Sequence, residues 1–149
     1  MKKLVAYFSA SGVTRRKSEA LAKVIGADLH EIAPVESYTD ADLDWTNKRS
    51  RSTVEMQDPS SRPALKEPKT DLSAYDTVYI GFPIWWGVAP HAVNTFIESN
   101  DLAGKQLVIF ATSGGSGLSP AVHDLQKRYS SLQIVSGKLL NGSVTGGLI

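Results

Sequence analysis

The chain has 149 residues and carries 16 Lys and Arg against 15 Asp and Glu, a formal net charge of +1. That length suits one domain with a sizeable core, and the near balance of charge argues against nucleic-acid binding through a broad basic surface. The absence of cysteine excludes disulfides, thiolate metal sites and a cysteine nucleophile.

The N-terminus reads MKKLVAYFSASG. Its short apolar run passes directly into a turn, which marks a first strand, Lys3 to Phe8, rather than a signal peptide. No stretch is long and apolar enough to span a bilayer, so a soluble, cytoplasmic protein without a membrane partner is expected. Arg15 to Ile25 has helical spacing, with Ala20, Leu21, Val24 and Ile25 on one side, and Gly26 is a natural stop. Ala27 to Ile32 reads as a second, weaker strand.

From Pro34 to Tyr75 the chain turns rich in Pro, Ser, Asp and basic residues. The segment is too long for a simple loop in a compact domain, and so reads as an irregular insert, about 34–75, with helix around Thr46 to Met56. Prolines at 59, 63 and 68 predict irregular chain after that helix. Thr77 to Phe82 is a second continuous apolar strand. Pro90 to Ser99 is a helix with Val93, Phe96 and Ile97 inward. Gln106 to Thr112 is a third strong strand. Ser119 to Ser130 is a helix in which Ser119 suits the N-cap and Pro120 the first helical position. QIVSGKLLNG closes the order as a last strand region. The chain then ends at Ile149, where a complete doubly wound sheet has a further helix.

Strands that are apolar throughout are buried on both faces. Alternating with helices, they predict a single domain, 1–149, built on an open parallel α/β sheet, with right-handed crossovers placing helices on both faces. In such a sheet, ligands bind along the edge formed by the carboxyl ends of the strands. The loops that follow the strong strands are therefore the candidate site.

The first loop is SASGVT, Ser9 to Thr14. Hydroxyls and a glycine at a helix start suit an anion, above all a phosphate, although Ser11 or Thr14 could serve simply as a cap. It is neither a P-loop nor a Gly-x-Gly-x-x-Gly turn. The second loop, PIWWGVAP, holds Trp85 and Trp86. Adjacent tryptophans in a loop are hard to bury together, so at least one presents its face to a planar ligand. The third, TSGGSGLSP, brings backbone donors and acceptors within reach of a polar ring edge. It does not match Gly-x-Ser-x-Gly, because Leu118 stands where the last glycine belongs. His123 reads as surface, and neither a catalytic residue nor a metal ligand is assigned. A phosphate cradle, a stacking face and a polar rim together suit a ligand with a phosphate at one end and a flat polar ring at the other.

On these loops the chain resembles the flavodoxin-like FMN-binding family, in particular its short flavodoxins. YFSASGVT is similar to the phosphate loop, GFPIWWGVAP to the second flavin loop and FATSGGSG to the third. The resemblance implies a three-layer, flavodoxin-like fold with five parallel strands in the order 2-1-3-4-5. It implies FMN as cofactor, with Ser9, Ser11, Gly12, Val13 and Thr14 on the phosphate. Pro83, Ile84, Trp85, Trp86 and Gly87 would lie along the isoalloxazine, and Ser113, Gly114, Gly115 and Gly117 would meet its pyrimidine end. Val13 stands where the family often has asparagine. The third loop lacks the aromatic that covers the second flavin face in electron-carrier flavodoxins, and the chain is less acidic than those carriers.

Two functions follow from the resemblance. One is an electron carrier that serves redox partner proteins. The alternative is a small FMN-dependent NAD(P)H:quinone-type oxidoreductase, with the insert as a lid and Arg49, Arg51 and Arg62 available to a nicotinamide phosphate. A flavin-free module for another phosphorylated ligand is the third reading.

Overall fold

The computed structural model describes residues 2–113 and 117–140. Five strands and four helices follow in the order β1 (Lys2–Tyr7), α1 (Val13–Ile25), β2 (Asp28–Glu31), α2 (Arg51–Gln57), β3 (Tyr75–Pro83), α3 (His91–Ser99), β4 (Gln106–Thr112), α4 (Ser119–Arg128) and β5 (Gln133–Leu139). All five strands lie parallel in one sheet of order β2-β1-β3-β4-β5, as the resemblance implies.

Alternation along the strands builds two cores. Leu4, Ala6 and Phe8, Val78, Ile80 and Phe82, and Leu107, Ile109 and Ala111 face α3, α4 and the insert's Leu65 and Leu72. Val5, Tyr79, Val108 and Phe110 face the opposite way, with Leu21 and Ala22 of α1 and with Leu140. Gly81 is imposed by that second core, since a Cβ there would stand 2.1 Å from the Phe110 ring. The buried stripe of α1 runs through Thr14, Ser18, Leu21 and Ala22, whereas Val24, expected inward, is 48% exposed. Two small polar residues, Thr14 and Ser18, let the start of α1 lie close to the sheet. Ser18 satisfies its buried hydroxyl by donating to the Thr14 carbonyl at 2.7 Å.

The predicted helix stop holds. Gly26 sits at φ 69°, and its N–H donates to the Ala22 carbonyl. The start of α4 differs from the expectation. Leu118 occupies the capping position, Ser119 is already helical, and no side chain among the described residues caps the helix. The helix begins one residue early because Pro at the first turn removes a donor that would otherwise need a cap.

The insert is closed at its base. Val35 donates to the Ala64 carbonyl and Lys66 to the Ala33 carbonyl, each at 2.8 Å, so Pro34 and Leu65 pair antiparallel. Within it, α2 covers only the second half of the stretch predicted helical. Seven residues are too few to hold a helix by propensity, and local bonds stabilise it. Ser50 accepts from the Thr53 N–H, Ser52 donates to the Asp42 carbonyl at 3.0 Å, and Arg51 pairs with Glu55 at 3.0 Å. After α2 the chain runs irregular, through turns and bends, until β3, as predicted from its prolines.

Candidate functional site

The three loops singled out in the sequence leave the carboxyl ends of β1, β3 and β4, which are neighbours in the sheet. Phe8 extends β1 by one residue, donating to the Gly81 carbonyl at 2.9 Å. The chain then turns through Gly12, at φ 94° and ψ −11°, into α1. That left-handed conformation is open to glycine and costly for other residues. A Cβ at Gly12 would also meet the Arg16 guanidinium at 3.3 Å.

The hydroxyls of this turn have divided roles. Ser9 Oγ accepts from the Gly12 N–H at 3.1 Å and so braces the turn. Ser11 is exposed. Thr14 is 1% exposed, and its Oγ1 shares a 2.8 Å hydrogen bond with Thr112 Oγ1. Neither Ser11 nor Thr14 caps α1, for Gly12 stands at the cap and, among the described residues, no side chain caps the helix start. The first-turn N–H groups of an α-helix have no acceptor inside the helix. Here they begin at Val13, itself 42% exposed, and the helix field at that end favours an anion.

The second loop is a tight two-residue turn. Trp85 donates to the Val88 carbonyl at 3.0 Å, and Val88 donates back to the Trp85 carbonyl at 3.1 Å. Between them, Trp86 has φ 49° and Gly87 φ 82°, the two positive values of a type I′ turn. Glycine takes that shape freely, whereas tryptophan is held there at a cost of about 1–2 kcal/mol. The turn sends the two indoles to different fates. Trp86 is 52% exposed. Trp85 packs edge-on against Phe8, with centroids 5.5 Å apart, and against Tyr38 at 5.4 Å. Pro83 ends β3, and Ile84 donates to the Thr112 carbonyl at 3.1 Å.

Of the third loop, Ser113 and Gly117 are among the described residues. Gly114 and Gly115, predicted to meet a ring edge, lie outside the described residues with Ser116. Thr112, not singled out in the sequence, links all three loops. Its side chain bonds to Thr14, its carbonyl to Ile84, and Ser113 follows it. Tyr38 is the other residue missed. The one sign of it was a lone aromatic in the polar run ESYTD.

The insert binds most of its polar groups to itself and to α3. Arg51 pairs with Glu55, donates to the Glu36 carbonyl and stacks over Tyr38, 3.8 Å from the ring centroid. Tyr38 donates to the Glu55 carboxylate, and burial first, then that bond, push its phenol well above the usual range. Arg62 pairs with Glu98 of α3 at 3.0 Å, and this bond raises the Arg62 pKa and lowers that of Glu98. Tyr129 donates to the same carboxylate, and burial first pushes its phenol up to about 12. Ser61 bridges the Glu55 carbonyl, at 2.7 Å, and His91 Nδ1, at 2.5 Å. Thr95 donates to the Pro63 carbonyl at 2.9 Å, and Asn100 accepts from the Thr70 N–H at 2.8 Å. Arg51 and Arg62 are thus committed within the fold. Arg49 is exposed.

The turn at Gly12 fits a phosphate in its donor set and in its lack of a Cβ, and the exposed Trp86 indole fits a planar ring. A family model described as Flavodoxin matches residues 2–149. None of the curated proteins matches. Among solved structures, a candidate flavoprotein from Bacteroides eggerthii DSM 20697 is 54% identical, with a TM-score of 0.93, over 95% of this chain and 89% of that one. A second, from Bacteroides uniformis ATCC 8492, is 51% identical with a TM-score of 0.95, over 99% and 94%. A flavoprotein in complex with FMN from Lactobacillus acidophilus NCFM shares the fold at 22% identity and a TM-score of 0.76, over 93% of each chain. The chain belongs to the flavodoxin family, whose cofactor is FMN.

Proposed function

We propose that the chain is an electron-transfer flavoprotein that seats FMN along the carboxyl edge of its sheet. The observation that carries this reading is the pairing of the Gly12 turn with the Trp86–Gly87 turn. One offers helix-end N–H groups with no side-chain cap, and the other holds an indole outward at φ 49°. In the fold these turns leave adjacent strands, β1 and β3.

Bound FMN supplies the redox chemistry, and the chain supplies position and surroundings. The N–H groups that open α1 hold the phosphate, with Ser11 within the same turn. Ser9 keeps the turn in shape through the Gly12 N–H. Trp86 lies along the ring, while Trp85 anchors the turn from beneath through Phe8 and Tyr38. Ser113 and Gly117 would belong to the polar rim.

The arrangement of the insert favours a carrier over an NAD(P)H-dependent reductase. A nicotinamide phosphate needs free guanidinium groups, and of the three arginines in question two, Arg51 and Arg62, are bound to Glu55 and Glu98, which leaves only the exposed Arg49. One titration tests both levels of the reading. Purified protein is expected to be yellow and to release FMN on denaturation. Bound flavin should be reduced by dithionite and left oxidised by NADPH. Colourless protein that takes up no added FMN would overturn the cofactor assignment, and rapid bleaching by NADPH would overturn the carrier.

A further inference from the structure

Phe8, Tyr38 and Trp85 form a closed triangle of rings. Their centroids stand 5.6, 5.4 and 5.5 Å apart, and each pair meets edge to face at 74–90°. The three corners come from three segments. Phe8 is the last residue before the Ser9–Thr14 turn, Trp85 opens the Trp86–Gly87 turn, and Tyr38 belongs to the insert. The two turns are therefore joined to each other and, through Tyr38, to the insert.

Tyr38 is held on each of its remaining sides. The Arg51 guanidinium covers a face of the ring. The hydroxyl donates to the Glu55 carboxylate, and that carboxylate is pinned in turn by Arg51 at 3.0 Å. Arg51 and Glu55 are one turn apart on α2, and Arg51 also donates to the carbonyls of Glu36 and Ser37, in the segment that leads into Tyr38. A short helix and an extended segment thus form a rigid socket around one ring. Such rigidity exceeds what is needed to tie down a surface loop, which Leu65, Leu72 and the bonds to α3 already do.

We infer that Tyr38 is a positioning residue for the flavin site, fixing the Trp85 indole and thereby the spacing between the phosphate turn and the Trp86–Gly87 turn. The inference rests on the FMN reading above, but its first test does not. Edge-to-face partners set the orientation of an indole. Loss of the Tyr38 edge frees Trp85 to rotate about its side-chain bonds, and the Trp86 platform, one peptide away, moves with it. A ligand gripped at both ends then has to restore the spacing on binding, at the expense of affinity.

The test compares wild type with Tyr38→Ala, Tyr38→Leu and Tyr38→Phe. In the FMN-free protein, Tyr38→Ala and Tyr38→Leu are expected to weaken the near-ultraviolet circular dichroism of tryptophan, while Tyr38→Phe retains it. FMN affinity, followed by quenching of flavin fluorescence at a temperature where every variant is folded, is expected to fall about ten- to hundredfold in the first two. Tyr38→Phe should recover most of it. Leu102→Ala, a core truncation between α3 and β4, serves as the control that lowers Tm yet leaves affinity within about twofold. If Tyr38→Ala does not fold, Tyr38→Leu decides by the same criteria. An unchanged tryptophan signal, or FMN affinity that tracks Tm across all variants including Leu102→Ala, would overturn the inference. Failure of the wild type to bind FMN would instead overturn the cofactor reading, with the circular-dichroism result standing by itself.

Discussion

The first βα turn and the insert are both rich in hydroxyl residues, yet they use their polar groups in opposite ways. In the turn, Gly12 adopts a left-handed conformation, no side chain caps α1, and the helix opens toward solvent at an exposed Val13. In the insert, serines cap a helix and hold His91, carboxylates hold arginines and tyrosines, and the asparagine that ends α3 receives an N–H. Composition alone does not separate a binding loop from a scaffold. What separates them is whether the polar groups are satisfied from within, because an open set of donors at a helix end is stable only if water or a ligand completes it.

The sharpest way to break this contrast is to put a side chain at Gly12. Gly12→Val forces a β-branched residue toward φ 94°, against a guanidinium already 3.3 Å from where its Cβ would stand. The turn relieves the strain by leaving the left-handed region, which aims the helix-end N–H groups elsewhere. Binding must then restore the strained shape, at about 1–2 kcal/mol for the backbone alone, with the added bulk standing where the phosphate goes. FMN affinity is expected to fall roughly a hundredfold, measured by isothermal calorimetry. Affinity within a few-fold of wild type would show that the turn is not the phosphate site.

Trp86 offers a test in which stability and binding move apart. Glycine at φ 49° removes the cost of holding an indole in the left-handed region, so Trp86→Gly should gain about 1 kcal/mol of stability. For a domain of this size that raises Tm by about 2–4 °C. The same change removes the stacking surface, and FMN should bind about tenfold more weakly. A variant both more stable and equally tight would place the platform elsewhere.

In the insert the expectation reverses, with stability affected and binding spared. Arg62→Met breaks the pair with Glu98, both partners being partly exposed, so the loss is at most about 1 kcal/mol. Thermal melts should show a fall of about 2–4 °C, with FMN affinity unchanged. A clear loss of affinity would mean that this end of the insert reaches the ligand.

The contrast also marks how far the sequence could be read. The parallel sheet, its order through the family resemblance and the three loops at its edge were legible, because continuous apolar strands such as Gln106–Thr112 report burial directly and fold rules place their carboxyl ends together. The division of labour between Trp85 and Trp86 was not. It depends on positive φ at two successive residues, which a Trp-Gly pair does not advertise. Thr14 read as a phosphate ligand from local pattern, and its hydroxyl bonds to Thr112, 98 residues away in the chain. Such a long-range partner is invisible to local pattern. The same holds for Tyr38, whose neighbours Phe8 and Trp85 come from β1 and the loop after β3.

The smallest expected effect lies at the junction of the two regions. His91 opens α3 directly after the loop that holds Trp85 and Trp86, and its ring meets Ser61 of the insert. Ser61 gives its hydroxyl proton to the Glu55 carbonyl, so the proton in the Ser61–His91 bond is the one on Nδ1, and a second proton would have to enter at Nε2. Burial opposes this first, and the nearby Arg62 and Arg128 oppose it further, while Glu55 works the other way, so the His91 pKa lies below its usual value. Below a pH of about 6.5 the unfolded chain takes up a proton that the native state still refuses. Stability therefore declines as pH falls through that window, and does so before the carboxylate of Glu98, held below its own usual range, begins to titrate. His91→Asn keeps a donor for Ser61 without a titrating ring. Its Tm should fall less than that of wild type between pH 7 and pH 5, with His30 contributing equally to both proteins. Parallel curves would show that the His91 ring reaches water freely and that the insert is less firmly seated on α3 than its hydrogen bonds imply.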